Sequence, residues 1–264
     1  LGIRYISMIT GLGHIYIKGN VIVRYLISIF LSISLKRSLE VWFTNKSDEL
    51  SYKKKNIISD QLTRTIPGAG AVFKRDELKF NYIKRPITFI MISRLLKEKG
   101  VMEYIKSATY FKNNYNMKFI LIGSHKNEAS YISKEILDTA IENNIIEYHT
   151  YQEDIMPYLT KCSCVVHPSY REGMSTILLE ASVLKIPIIT TKVPGCIDII
   201  PDESYGSLCE PADTQSLIDS INKFITLDED TLKIKTLKTF KYVKENFSRD
   251  QILEIYKVSL KYII

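Results

Sequence analysis

The chain has 264 residues, 45% hydrophobic, 11% aromatic and 25% charged, which excludes a disordered, collagenous or disulfide-stapled protein. At roughly 150 residues per domain it holds one large domain or two small ones. Lys and Arg number 36 against 29 Asp and Glu, and the net charge of +7 favours anionic partners (nucleotides, phospholipid surfaces, nucleic acid) without choosing among them.

Leu1 is followed by no charged leader and cleavage site, so no secretory signal is expected. Thr10-Gly11-Leu12-Gly13 punctuates the start. Val21–Leu35 is strongly apolar, but it is broken by Arg24 and shorter than the ~20 residues of a spanning helix, so a buried core helix is expected. A strand-like Val41–Thr44, a solvated helix face at Lys53–Lys55 and a turn at Pro67-Gly68-Ala69-Gly70 follow. The polar stretch Lys74–Arg85 reads as a connection.

From Pro86 the pattern is regular. Ile87–Ser93, Met117–Ile122, Ile145–Tyr148, Ser163–His167 and Ile186–Thr191 are short apolar runs of strand length. Between them lie helical patterns over Gly100–Tyr115, Asn127–Asn144, Asp154–Lys161 and Gly173–Leu184. Such alternation predicts an α/β fold with a parallel sheet covered on both faces, its ligands beyond the carboxyl ends of the strands. The cysteines, Cys162, Cys164, Cys196 and Cys209, form no C-x-x-C pair, which speaks against zinc and for a reducing cytoplasm.

The sharpest feature is His167-Pro168-Ser169-Tyr170-Arg171-Glu172-Gly173-Met174, followed by Leu179-Glu180-Ala181. Pro168 stops ladder pairing, and a helix opening at Gly173 would turn the free amides of Gly173, Met174 and Ser175 toward an anion. Glu172 and Glu180 would then stand about 12 Å apart along the helix, one at its mouth and one two turns down. A nucleotide-sugar suits that arrangement, with sugar hydroxyls at Glu172, ribose hydroxyls at Glu180 and phosphates between. A helix with one terminal and one exposed acid would look the same.

The stretch PSYREGMSTILLEASVLKIPIITTKVPGC resembles the signature of family-4 retaining glycosyltransferases of the GT-B fold, P-S-x-x-E-G, L-E-A, P-V/I-I-T and P-G. Ser93-Arg94-Leu95-Leu96-Lys97-Glu98-Lys99-Gly100 resembles the family's G-R-L-x-x-x-K-G. The resemblance implies that Arg94 and Lys99 hold the donor diphosphate and that Glu172 acts beside them, with no metal and no cofactor. Two fixed cations suit a departing pyrophosphate. By position in the family pattern, Gly123 lies near the nucleotide, and Tyr148, His149 and Thr150 near the base. Thr10-Gly11-Leu12-Gly13 and Pro67-Gly68-Ala69-Gly70 resemble the T-G-L-G and P-G-S-G of a bacterial subgroup that builds O-antigen, capsule and related lipid-linked glycans. That likeness implies a UDP-sugar donor, a hexose or N-acetylhexosamine, and a lipid-linked or oligosaccharide acceptor. It also implies a cytoplasmic enzyme, peripheral on the inner face of the cytoplasmic membrane.

The chain departs from the family at Lys185, at Val72 and at Ile197-Asp198, where a small residue, an acid and Arg-Glu are usual. The expected organisation is a partial amino-terminal, acceptor-side domain over 1–80 and a complete Rossmann-like donor domain over 81–264, its last helix packing back on the first domain. Roughly 80 residues are about half of a doubly wound domain, so the chain reads as the back two-thirds of a longer enzyme. A non-catalytic nucleotide-sugar-binding remnant is the alternative. A nucleic-acid-binding role lacks aromatic RNA motifs, a basic helix or a zinc signature, and no nucleic acid is expected.

Overall fold

The computed structural model describes residues 4–11, 20–58, 62–73, 86–113 and 116–261. Leu12, Gly13, Tyr115 and the expected connection through Arg85 lie outside the described residues. In chain order the elements are β1 (Ile6–Ile9), α1 (Val21–Leu35), β2 (Glu40–Phe43), α2 (Lys46–Lys54), β3 (Leu62–Thr65), β4 (Ile87–Ile92), α3 (Val101–Tyr110), β5 (Met117–Ile122), α4 (Lys134–Glu142), β6 (Glu147–His149), α5 (Met156–Leu159), β7 (Cys164–His167), α6 (Thr176–Val183), β8 (Ile188–Thr191), β9 (Ser207–Cys209), α7 (Thr214–Ile225), α8 (Glu229–Phe247) and α9 (Arg249–Leu260). They form two units, the first from Leu1–Gly70, Glu172–Met174 and Phe247–Ile264, the second from Ala71–Arg171 and Ser175–Asn246. The division falls at Gly70–Ala71 and not at residue 80, and α9 groups with the first unit.

The first unit has a parallel sheet ordered β1-β2-β3. Side chains alternate across it. Val41 and Phe43 pack with Leu35, Tyr52, Ile57 and Ile58 on one face. Trp42 turns to the other, against Ile66 and Ile252, with the Tyr256 ring 5.0 Å away. Asn20 caps α1, its Oδ1 accepting from the Val23 amide at 2.9 Å. The expectation that α1 is buried is corrected. Leu35 alone of its described residues is fully buried, while Val21 is 81% and Phe30 70% exposed. A helix apolar all round buries only the face its sheet covers, here through Ile27, Leu31 and Leu35.

Buried carboxylates also hold this unit together. Glu40 accepts from Trp42 Nε1 at 2.7 Å and Arg64 Nε at 2.8 Å. Glu49 accepts from Lys46 and Lys53 at 2.7 Å, Thr63 at 2.8 Å and Thr65 at 3.0 Å. Burial opposes the Glu49 charge, but these donors outweigh it and bring the carboxyl down to about 2.

The second unit is a parallel sheet ordered β6-β5-β4-β7-β8-β9. Its core is apolar and aromatic: Phe89 stacks on Phe119 at 5.1 Å, and the buried Tyr104 hydroxyl lies 3.0 Å from the Phe89 carbonyl and 2.9 Å from that of Ile120. Each expected strand here is present within two residues of its expected bounds. All four helices expected between these strands are shorter than expected: α3 ends at Tyr110 and α5 keeps only Met156–Leu159. Ser133 caps α4, so the helix begins at Lys134 and not at Asn127, and Tyr131 instead bridges to Leu96. The helix expected from Gly173 begins at Thr176, because Ser175 is still extended, at φ −87° and ψ 106°.

Candidate active site

Along the second sheet the chain steps outward from β4 through β5 to β6, then restarts at β7 and steps the other way. The reversal lies between β4 and β7, and in such sheets ligands bind beyond the carboxyl ends of the strands at that point. The two loops leaving it are residues 93–100 and the run from Pro168. These are the two motifs singled out above, and the fold bonds them together. The Glu98 carbonyl accepts from the Tyr170 amide at 2.9 Å and the Ser169 hydroxyl at 3.4 Å. Gly100 has φ +75°, and a Cβ there would stand 2.0 Å from the Pro168 carbonyl oxygen, so glycine is required by conformation and by contact. From β8, the Thr190 hydroxyl donates to the His167 carbonyl at 2.9 Å and the Thr191 hydroxyl donates to that of Ser169. The loop after β7 is thus tied on both sides.

Arg94 follows β4, exposed and without an ion pair among the described residues; Lys99 is half-buried at the end of the 3-10 turn Lys97–Lys99. Gly123 ends β5, its amide donating to the His149 carbonyl at 3.0 Å and its carbonyl accepting from the Tyr148 hydroxyl at 2.9 Å. His149 lies 2.7 Å, through Nε2, from Glu147 Oε1 and packs against the Tyr158 ring at 4.9 Å; Thr150 is exposed beyond it. These positions lie at the carboxyl ends of neighbouring strands.

The helix-mouth geometry expected from the sequence is corrected. Gly173, Met174 and Ser175 are not the first turn of α6; Ser175 is its N-cap position, and the unpaired amides begin at Thr176. The buried Ser175 hydroxyl has no partner among the described residues and does not cap the helix. Glu180 is the fifth residue of α6, on its exposed side, and desolvation by its surroundings raises its carboxyl above the ordinary value. Glu172 stands outside the helix, so the 12 Å helical separation does not hold. Glu172–Met174 group with the first unit, whereas Ser175 and α6 belong to the second.

Two features escaped the sequence reading. Glu103 on α3 bonds the Tyr170 phenol, which burial and that carboxylate push well above its usual range. Asn45, at the end of β2, reaches Gly173 across 128 residues of sequence. Only the N-cap position ahead of α2 hinted at Asn45, and nothing local hinted at its second partner.

The family model for Glycosyl transferases group 1 matches residues 73–239, more than half of the chain. The N,N'-diacetylbacillosaminyl-diphospho-undecaprenol alpha-1,3-N-acetylgalactosaminyltransferase of Campylobacter jejuni is 28% identical over 252 residues, which cover 88% of this chain and 63% of that protein. The capsular polysaccharide biosynthesis glycosyltransferase CapM of Staphylococcus aureus is 29% identical over 164 residues, 62% of this chain and 43% of CapM. The chain therefore spans less than two thirds of the length of either relative. In fold it is similar to Anabaena HepE solved in complex with UDP, with a TM-score of 0.80 at 15% identity over 98% of this chain and 72% of that one. The parallel α/β sheets are accordingly those of part of a GT-B fold. With more than half of its residues matched, the chain belongs to the group 1 glycosyl transferases, the retaining family 4.

Proposed function

We propose that these residues take part in transferring a hexose or N-acetylhexosamine, with retention, from a UDP-sugar to a lipid-linked or oligosaccharide acceptor. The observation that carries this reading is the bonding of the two motif loops to each other at the β4–β7 reversal. There Arg94 and Lys99 are assigned to the donor diphosphate, together with the Ser175 hydroxyl and the unpaired amides that open α6. Glu180 is assigned to the ribose hydroxyls and Glu172 to the sugar hydroxyls. Gly123, Tyr148 and His149 are assigned to the base side, and Gly173 and Met174 to the backbone that carries Glu172. As the glycosidic bond breaks, the negative charge collects on the diphosphate, where fixed cations and a helix terminus stabilise it without reorganising. The acceptor hydroxyl then attacks on the face the diphosphate leaves, and its proton passes to a departing phosphate oxygen.

Titration with UDP tests the reading. Arg94→Ala and Lys99→Ala should each weaken binding by about 1.5–3 kcal/mol, the range of a charge-assisted hydrogen bond. Unchanged affinity in both variants would refute the phosphate assignment, and restoration of chelated enzyme by magnesium would show a metal-dependent chemistry instead. The similar enzyme of Campylobacter jejuni has a diphospho-undecaprenol acceptor in its name, which supports a lipid-linked acceptor here. Because these residues span only part of their relatives' length, transfer is assayed with the whole enzyme, and UDP binding without transfer to any lipid extract there would favour the non-catalytic alternative.

Peripheral contact with an anionic cytoplasmic membrane face forms part of this proposal. The exposed apolar side of α1 carries Arg24 and is followed by Lys36 and Arg37, with no Asp or Glu from Val21 to Leu39. Among the described residues no helix is long and apolar enough to cross a membrane. Binding to anionic liposomes that weakens as salt rises is the expected result, and none at low salt would refute it.

A further inference from the structure

Asn45 is 1% exposed at the carboxyl end of β2 and uses its whole amide. Oδ1 accepts from the Asp48 amide at 2.8 Å and so caps α2. Nδ2 donates to Asp48 Oδ2 at 3.1 Å and to the Gly173 carbonyl at 3.0 Å. The reversed amide would set oxygen against two acceptors, so the orientation is fixed by its partners. On the same side Gly173 is pressed close: a Cβ there would stand 2.3 Å from the Thr10 carbonyl oxygen and 2.8 Å from Thr44 Oγ1. All these residues belong to the first unit.

Capping alone does not call for asparagine. Ser, Thr or Asp supplies the same acceptor, and what Asn adds is the pair of N–H donors. One of them is spent on a carbonyl that lies next to Glu172 in the chain. We propose that Asn45 is a positioning residue: it locks Gly173 against the ends of β1 and β2 and thereby fixes the backbone that presents the Glu172 carboxylate to the donor sugar, a role that rests on the assignment of Glu172 made above. The fit of Gly173 against Thr10 and Thr44 leaves the segment little freedom once the bond is made.

Asn45→Ser keeps the cap and deletes the donor. Two measurements on the 264-residue chain separate the outcomes. The first is amide hydrogen exchange of the peptides covering 170–176 and α2. The second is titration with UDP, UDP-glucose and UDP-N-acetylglucosamine. Asn45→Ser should speed exchange at 172–174 by about tenfold, leave α2 protected, leave UDP affinity within about twofold, and cut the extra affinity of a UDP-sugar over UDP by roughly three- to tenfold. In steady-state transfer by the whole enzyme, kcat should fall by a similar factor with little change in donor KM. Wild-type exchange together with a wild-type sugar increment overturns the latch. If Glu172→Ala abolishes the sugar increment while Asn45→Ser does not, the latch fails and the donor reading stands. If Glu172→Ala changes nothing, the donor reading fails, and the exchange measurement still decides the latch. Should Asn45→Ser not fold, Gly173→Ala leaves the cap intact and pushes the segment away from Thr10 and Thr44, with the same readouts and the same criteria.

Discussion

The second unit buries apolar and aromatic side chains such as Phe89, Phe119 and Leu121, and its long helices turn lysines outward. The first unit inverts part of that balance: it buries Glu40, Asp48 and Glu49 and exposes Val21, Ile22, Tyr25, Phe30 and Ile33. Both are parallel α/β layers with apolar cores, yet the first also buries carboxylates that must be paired. Buried carboxylates are tolerable here because each of Glu40 and Glu49 collects several donors, and removing those donors would leave a desolvated charge. The exposed helix shows the complementary point, that burial depends on what a neighbouring layer covers and not on the composition of the helix.

The contrast can be tested from its largest expected effect downward. Phe89→Ala in the second core should cost about 3–5 kcal/mol, read from denaturant unfolding by far-ultraviolet circular dichroism. A loss under about 1 kcal/mol would mean that the aromatic cluster does not dominate that unit. Acidification should strike the first unit. The folded Glu49 carboxyl titrates at about 2 against an ordinary 4.5, so its contribution is complete above pH 4.5 and drains away as pH falls toward 2. The loss has a ceiling of about 3.4 kcal/mol, set by the interval from 4.5 to about 2, and solvent screening of the exposed Lys46 and Lys53 lowers it to about 2 kcal/mol. It can be followed by the emission of Trp42, the one tryptophan of the chain, which sits in that unit. Glu49→Gln should flatten the pH dependence, and an unchanged slope would break the contrast. The smallest effect belongs to α1: Phe30→Ser should change stability by no more than about 0.5 kcal/mol in the same unfolding experiment. A cost above about 2 kcal/mol would show that the face is covered.

Donor binding has its own pH signature. Glu180 is raised by desolvation, so it protonates earlier on acidification than an ordinary glutamate. If its carboxylate accepts ribose hydroxyls, UDP affinity should decline as pH drops toward that raised value, and Glu180→Gln should remove the decline. A pH-independent titration of the unaltered chain would count against the ribose assignment.

The strands of the second sheet were legible because a parallel strand buried on both faces is a continuous apolar run, and Met117–Ile122 emerged with its bounds intact. The helices were less so. Asn127–Ser133 carries residues that a helix tolerates, and only the cap at Ser133 marks the true start. Gly173-Met174-Ser175 looks like a helix opening, but its conformation is set by partners such as Asn45 that lie far away in sequence. The paired motifs at Arg94–Gly100 and Pro168–Gly173 were legible as chemistry. That Glu98 and Gly100 clasp Pro168–Tyr170 was not, since strand order is invisible in a list of strands.

The first unit is assembled from three separate stretches of chain, and the side of its sheet bearing Trp42 and Ile66 is covered by Ile252 of α9. During synthesis from the amino terminus, β1 to β3 emerge long before the helix that shields that side. Every strand of the second sheet, and α7 behind it, leaves the ribosome first. Late closure of this kind raises the mean sequence separation of native contacts, which slows folding and lengthens the time an apolar sheet face stays open to aggregation. Arg249–Leu260 therefore supply the cover for that side of the sheet, and nascent chains stalled ahead of Arg249 should depend more on chaperones than chains stalled after it.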